Sequence, residues 1–275
     1  MSLSDQIKRT FWDAPPITRA LVTASIVLSF PAHLLGIPSV GHLIFWRPYV
    51  FTYSRIPQIW RLATSFVLTG PEPPPIHLIL DPHFLYRSSK SLETKSLRFS
   101  APGEYFIFLF FVWNVILLLA GWYLGYFAFI HPFIMAMAYL DSVDNPNARA
   151  GFLIFTVPNR YSPWVMLALT FVMQSPYHAM VQATGIVAAH LYDFLTRVWP
   201  DFGGGRKIIS APVFVQRWFA PPPGVGTPRS YGTSFHQRPA APAAPSSGSS
   251  WASGFNPLAG TSWGNRGPGR RLGGE

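Results

Sequence analysis

Residues Tyr105 to Ala120 read YFIFLFFVWNVILLLA, a run without a single formal charge. A helix that crosses a bilayer needs roughly 20 predominantly apolar residues, within about 17–25, and this run with its flanks meets that need. A second apolar run begins after Gly121 and includes Tyr126–Leu140. Further candidate spans are Ile17–Leu35, Ile59–Leu80, Pro163–Met173 and Ala179–Trp199. Several are short or broken, with Pro31 interrupting the first and Pro71 and Pro73–Pro75 the second. Proline removes a backbone donor and kinks a helix, and in lipid the freed carbonyls need protein or water partners. The expectation is an all-α polytopic membrane protein: a compact bundle of six transmembrane helices that shields or hydrates part of its backbone.

Composition agrees once the chain is divided. Charged residues make up 12% and hydrophobic residues 49%, against about 25% charged in an ordinary soluble chain. The mean hydropathy of only +0.23 averages two unlike parts. Residues 1–200 hold the apolar runs and form the expected membrane domain. In residues 201–275, Gly, Pro and Ser supply 14, 10 and 9 of the 75 positions, too little apolar surface to offset the entropy of ordering. That tail is expected to be disordered. With no cysteine, disulfides and thiolate metal sites are excluded. Met1–Ala14 lacks the apolar stretch of a secretory signal, so targeting is expected from the first span. A net charge of +10 does not point to nucleic acid, because the basic residues are scattered around membrane segments.

Their scatter sets an orientation. With six spans both termini share a side, and that side receives 18 of the 21 lysines and arginines. Only Arg47, Arg55 and Arg61 fall opposite. The positive-inside rule therefore puts both ends in the cytosol. The long first connection on the far side, Gly36–Gln58, carries Trp46, Tyr49, Phe51 and Tyr53. This composition suits a segment lying among headgroups, with an ordinary exposed loop as the plain alternative.

Certain residues then form an ordered series. Trp12-Asp13-Ala14-Pro15-Pro16-Ile17-Thr18-Arg19 precedes Gln58-Ile59-Trp60-Arg61-Leu62-Ala63-Thr64-Ser65-Phe66. Phe84-Leu85-Tyr86-Arg87 and Leu92-Glu93 follow, then Asp144-Asn145-Pro146-Asn147, Ser162-Pro163-Trp164 and the stretch Gly185 to Pro200. Spread in this order over residues 11–205, the series resembles the Derlin family, rhomboid-like pseudoproteases of endoplasmic-reticulum-associated degradation. The resemblance implies a rhomboid-like six-transmembrane-helix bundle in the endoplasmic reticulum membrane. It also implies a non-enzymatic role in retrotranslocating misfolded proteins for ubiquitin-dependent degradation under the unfolded protein response. The partners it implies are membrane lipid, misfolded protein substrates, an endoplasmic-reticulum ubiquitin-ligase complex, the valosin-containing-protein AAA ATPase, and homo- or hetero-oligomers.

Arg61 at a span boundary can lay its stem on apolar surface while the guanidinium reaches headgroups or carbonyls, and Trp60 suits the interface. On the residues alone, a generic helix-end anchor is the simpler account. The resemblance implies more, since in Derlins this pair belongs to the membrane-embedded luminal loop. Gly185 and Ala189 have the small-xxx-small spacing that permits close helix approach; Derlins usually carry glycine at both. In the same span, Asp193 is expected to reach water at the cytosolic end. His190 is expected to be a hydrogen-bonded packing residue, with substrate contact as the alternative.

An active rhomboid needs a Gly-x-Ser-Gly turn at its fourth span and a histidine on its sixth. The expected fourth span reads His131-Pro132-Phe133-Ile134-Met135-Ala136-Met137-Ala138-Tyr139-Leu140, and Gly-x-Ser-Gly occurs nowhere in the chain. The eight histidines show no His-Glu-x-x-His or close-paired spacing, so neither a metal nor a cofactor is expected.

Beyond Gly203-Gly204-Gly205, apolar pairs at Ile208-Ile209, Val213-Phe214 and Trp218-Phe219 alternate with Arg206, Lys207 and Arg217. This spacing suggests a short amphipathic segment on the cytosolic leaflet. Gly267-Pro268-Gly269-Arg270-Arg271-Leu272-Gly273 resembles the box by which Derlins recruit the ATPase, an aromatic followed by Gly-x-Gly-x-x-Leu-Gly. Arg266 occupies the adjacent place and Trp263 lies three residues further back. A solvated Gly/Arg-rich terminus is the plain alternative. Two rival functions remain: an active intramembrane rhomboid serine protease, and a scaffold that only recruits the ATPase.

Overall fold

The computed structural model describes residues 5, 11–51, 56–70, 76–151, 156–202 and 209–219. The chain divides into two compact units, Met1–Arg229 and Ser230–Glu275, and the second lies wholly outside the described residues. So do Trp263, Gly267, Gly269, Arg270, Arg271, Leu272 and Gly273.

Helix α1 (Pro16–Leu34) opens on a proline, where the missing N–H would have been unpaired anyway. Its expected break at Pro31 is absent. Only the final turn follows that residue, so one lost hydrogen bond disturbs little. Inside α1 the usual distribution is inverted: Thr18, Ser25, Ser29 and Ala32 are buried, while Ile26, Val27 and Leu34 are exposed. Small and polar residues inward with large apolar residues outward is the arrangement of helices packed in lipid.

The first connection holds two short helices, α2 (Val40–Leu43) and α3 (Arg47–Val50). The expected second span, Ile59–Leu80, is broken as its prolines suggested, into α4 (Trp60–Val67) and α5 (His77–Lys95), and its end is corrected from Leu80 to Lys95. Apolar patterning stops at Leu80 because α5 carries Asp81, Arg87, Lys90, Glu93 and Lys95. The helix continues because Asp81, Ser88, Ser89 and Glu93 are buried against its neighbours.

A turn at Leu97–Phe99 leads to α6 (Glu104–Ile116), which a π-helical turn, Leu117–Tyr123, extends. Helix α7 (Ile130–Asp144) follows; it starts later than the apolar run because Gly125 turns the chain at φ 72°. Then come a small antiparallel hairpin, β1 (Arg149–Gly151) and β2 (Thr156–Pro158), with Arg149 opposite Pro158. The expectation of a purely helical chain is corrected to that extent. Helices α8 (Ser162–Met173) and α9 (Pro176–Asp193) complete the bundle, and a π turn at Phe194–Val198 extends α9 into α10 (Trp199–Phe202). Among the described residues, Pro16–Leu34 and Glu104–Tyr123 are the two helices both long and apolar enough to cross a bilayer unaided.

Helix α7 is the centre. Ile130, Phe133, Met135, Ala136, Met137 and Leu140 are all buried, as expected of a helix enclosed on every side. Phe66 of α4 packs on Phe129 and Phe133 at ring separations of 4.9 and 5.6 Å. Past residue 202, α11 (Val213–Phe219) seats on the start of α6. Gly103, at φ 82°, allows this seating, since a Cβ there would lie 2.7 Å from Val215 Cγ1.

Candidate functional site

The loop from Gly36 to Phe51 is pinned from two directions. Arg61, only 3% exposed, donates to Gly41 O at 2.7 Å, to Ile44 O at 2.8 Å and to Gln58 Oε1 at 2.5 Å. Its guanidinium carbon lies 5.1 Å from the Tyr49 ring centroid. The fork thus meets carbonyls that end α2, which an orphaned helix terminus needs. Thr64 adds a hydrogen bond to Leu43 O at 2.6 Å. Trp60, 48% exposed, donates from its indole to His42 O at 3.4 Å and keeps its face outward. Arg47 supplies the second tie. It donates to Gly121 O at 2.7 Å and to Trp122 O, with its charge 5.0 Å from the Trp122 ring centroid. Sequence reading gave Arg47 no role, because its acceptors are backbone carbonyls 74 residues away.

Gly185 and Ala189 lie buried on α9. A Cβ on Gly185 would stand 2.0 Å from Pro132 O, so α9 touches the backbone of α7 directly there. The two pairs are linked through the start of α7: Phe129 N donates to Ser65 O of α4 at 2.7 Å, and Pro132, three residues on, meets Gly185.

Between those contacts lies a group that sequence reading missed. His77, Asp81 and His131 bring three ligand-capable atoms within 4.8 Å of one another. The available signal was the i,i+4 spacing of His77 and Asp81; nothing in the sequence pairs them with His131.

At the other end of the bundle the polar side chains form a belt. Glu93 accepts from Ile17 N at 3.2 Å and Thr18 N at 2.8 Å, and Ser89 links the Thr18 and Tyr105 hydroxyls at 2.8 and 2.7 Å. Asp193 does not reach water: it is 4% exposed and pairs with Arg98 and with Arg197, the latter at 2.9 Å. Arg98 also bonds Asp144 at 2.6 Å, so one guanidinium joins the ends of α7 and α9. Burial opposes the charge of Arg98, but hydrogen bonds and attraction from Asp144 and Asp193 outweigh it and raise its pKa. A cavity of about 650 Å³ opens beside this belt, reached by Arg98, Asp144, Tyr192 and Ala211. His190 is exposed and shares a 3.0 Å hydrogen bond with Tyr139 OH; Ser142 donates to Tyr139 O at 2.7 Å.

An apolar exterior around helices laced by buried polar side chains defines a membrane helix bundle. Its relatives agree. The profile of the Der1-like family matches residues 14–213, and the chain belongs to that family. Derlin-1 of Homo sapiens is 30% identical over 211 residues, covering 76% of this chain and 80% of the human protein. Derlin-1 of Bos taurus is 29% identical over 211 residues, with the same coverage. Derlin-2 of Oryza sativa subsp. japonica is 29% identical over 229 residues, covering 79% of this chain and 88% of its own length.

Proposed function

We propose that this chain is a non-catalytic retrotranslocation factor of endoplasmic-reticulum-associated degradation. In this reading it is a six-span bundle of the endoplasmic reticulum membrane, with both termini cytosolic. The observation that carries the reading is a mismatch of length. Helix α8 has 12 residues, about 18 Å at 1.5 Å per residue, against a hydrocarbon core of about 30 Å. Yet the far end of α8 exposes Phe171, Val172 and Met173. Short apolar helices are accommodated by thinning the surrounding bilayer, at fractions of a kcal/mol per Å. A thinner bilayer lowers the cost of moving polar segments of a misfolded protein across it.

The pinned loop with Trp60 outward supplies a surface at the luminal side for such a client. A cleft between this loop and the second and fifth spans admits it laterally. Close contact of Gly185 and Ala189 with α7 keeps the bundle rigid beside the cleft. Residues 201–275 recruit the valosin-containing-protein ATPase through Trp263, Gly267 and Gly269–Gly273, and a ubiquitin ligase acts on the emerging client. The direct test is electron cryomicroscopy of the full chain in lipid nanodiscs. A bilayer thinned by several Å beside α8 is expected; uniform thickness around the bundle overturns the reading. In cells, deletion is expected to stabilise a model degradation substrate, and add-back of Trp60→Ala with Arg61→Ala is expected not to restore turnover.

One observation favours the protease reading: Ser175 Oγ and His178 Nδ1 share a 2.7 Å hydrogen bond. The same oxygen accepts His178 N at 3.2 Å, the geometry of a helix cap. Capping is the role we assign to Ser175.

A further inference from the structure

We propose that His77, Asp81 and His131 form a binding site for a divalent first-row transition metal, zinc foremost, that staples α5 to α7.

The donors have the right chemistry. Two imidazoles and one carboxylate are the nitrogen and oxygen ligands that zinc takes, and three protein ligands leave a fourth position for water. They come from rigid elements: His77 and Asp81 one turn apart in the first two turns of α5, and His131 in the first turn of α7. Their spacing is the sharper argument. Asp81 Oδ1 lies 3.4 Å from His77 Nδ1 and 3.4 Å from His131 Nε2. A charge-assisted hydrogen bond closes to about 2.7–2.9 Å, so neither contact is a good one. Bonds of about 2.0–2.1 Å in a tetrahedron set donors about 3.3–3.4 Å apart, which two of the three separations match.

A second observation is independent of that spacing. Asp81 is 3% exposed, and its Oδ2 and His131 Nε2 are sealed from solvent without a hydrogen bond among the described residues. Buried polar atoms nearly always have partners, and a buried carboxylate oxygen without one is costly. A cation between the rings takes His131 Nε2 as a ligand, and a carboxylate that binds through both oxygens brings Asp81 Oδ2 onto it as well. The two rings meet in a T shape, 5.4 Å between centroids, with Asp81 Oδ1 at 3.4 Å from a nitrogen of each.

The position gives the staple a consequence. His131 precedes Pro132, whose carbonyl meets Gly185, and follows Phe129, which bonds Ser65 O. A metal held by His131 therefore fixes the four-residue stretch at which α4, α5 and α9 all meet α7.

The test uses the full-length chain, purified without a histidine tag, stripped by chelator and placed in nanodiscs. Zinc chloride is titrated against a chromogenic competitor, and thermal midpoints are read with and without the metal. One zinc per chain is expected, with a raised midpoint, because a ligand that binds only the folded state stabilises it. Asp81→Asn is expected to weaken binding at least tenfold. Should that buried variant fail to fold, His77→Gln, at the partly exposed start of the helix, carries the same expectation. Substoichiometric binding by the wild type, or wild-type affinity and stabilisation in His77→Gln, overturns the site.

Discussion

Glu93, in the last turn of α5, accepts both the backbone N–H and the hydroxyl of Thr18 at the start of α1, at 2.8 and 2.7 Å. One helix thus caps another. The first N–H groups of a helix have no partner within it, and a carboxylate there also meets the positive end of the helix dipole. Pro15 precedes α1 and offers no side-chain cap, so the acceptor comes from 75 residues away.

Removing it has a stated cost. Glu93→Ala leaves the part-buried amide of Ile17 and the buried amide of Thr18 without this acceptor. A loss of about 2–6 kcal/mol is expected at about 1–3 kcal/mol for each stranded group. Glu93→Gln keeps one acceptor oxygen and should lose less than half as much. Thermal unfolding in detergent ranks the three proteins; equal midpoints for Ala and Gln variants would refute the capping role.

Arg61 is a clamp, and a clamp is tested by what it releases. Arg61→Lys keeps the charge but cannot reach Gly41 O, Ile44 O and Gln58 together, because a single ammonium lacks the planar fork. Faster amide hydrogen exchange is expected across residues 40–46 in both Arg61→Lys and Arg61→Ala, with α6 unchanged. Arg47→Ala should loosen the other tie and raise exchange in residues 47–50. If Arg61→Lys exchanges as slowly as the wild type, the fork geometry is not what holds the loop.

These ties explain what was legible in the sequence. Tyr105–Ala120 announces itself because nearly every residue is apolar, and small residues at Gly185 and Ala189 carry a known packing spacing. Helix α5 hides because its charges are satisfied by partners distant in sequence: Glu93 by Thr18, and Arg87 by Gly151 O at 2.7 Å. Hydropathy scores a lone residue against lipid, and Asp81 or Glu93 never faces lipid. The His77, Asp81 and His131 group is hidden for the same reason, since only the packing of α7 on α5 joins its halves. Asp193 was read from its position near a helix end, which does not reveal the Arg98 that covers it.

The contact at Gly185 predicts an asymmetry between two adjacent small residues. In Gly185→Ala the new Cβ meets a backbone carbonyl, Pro132 O at 2.0 Å, which cannot swing aside as a side chain would. Helices α7 and α9 must part, and overpacking of this kind costs about 1–3 kcal/mol or more. Ala189→Gly adds backbone freedom, about 1 kcal/mol, and removes one buried methyl, without forcing the helices apart. A large loss of thermal stability for Gly185→Ala and a small one for Ala189→Gly are expected; the reverse order would mean that the helices cross elsewhere.

The proposed ATPase contact rests on one apolar anchor among flexible glycines, so it should be sensitive at that residue. Leu272→Ala is expected to reduce capture of the valosin-containing-protein ATPase by the full chain at least tenfold. Gly273→Ala should weaken it less, and Trp263→Ala reports whether the displaced aromatic takes part. Capture undiminished by Leu272→Ala removes the anchor from the proposal.

Ser175 separates capping from catalysis. Its oxygen accepts the His178 amide at the start of α9, and loss of such a cap costs about 1 kcal/mol. Ser175→Ala should therefore lower the thermal midpoint modestly while leaving substrate turnover in cells intact. A fluorophosphonate probe, which labels activated serines, should not mark the wild-type protein. A catalytic serine behaves in the opposite way: its alanine variant keeps stability and loses activity and labelling together. Labelling of the wild type that Ser175→Ala abolishes would establish the protease instead, because it would mean that the His178 imidazole, 2.7 Å from the hydroxyl, activates it as a base.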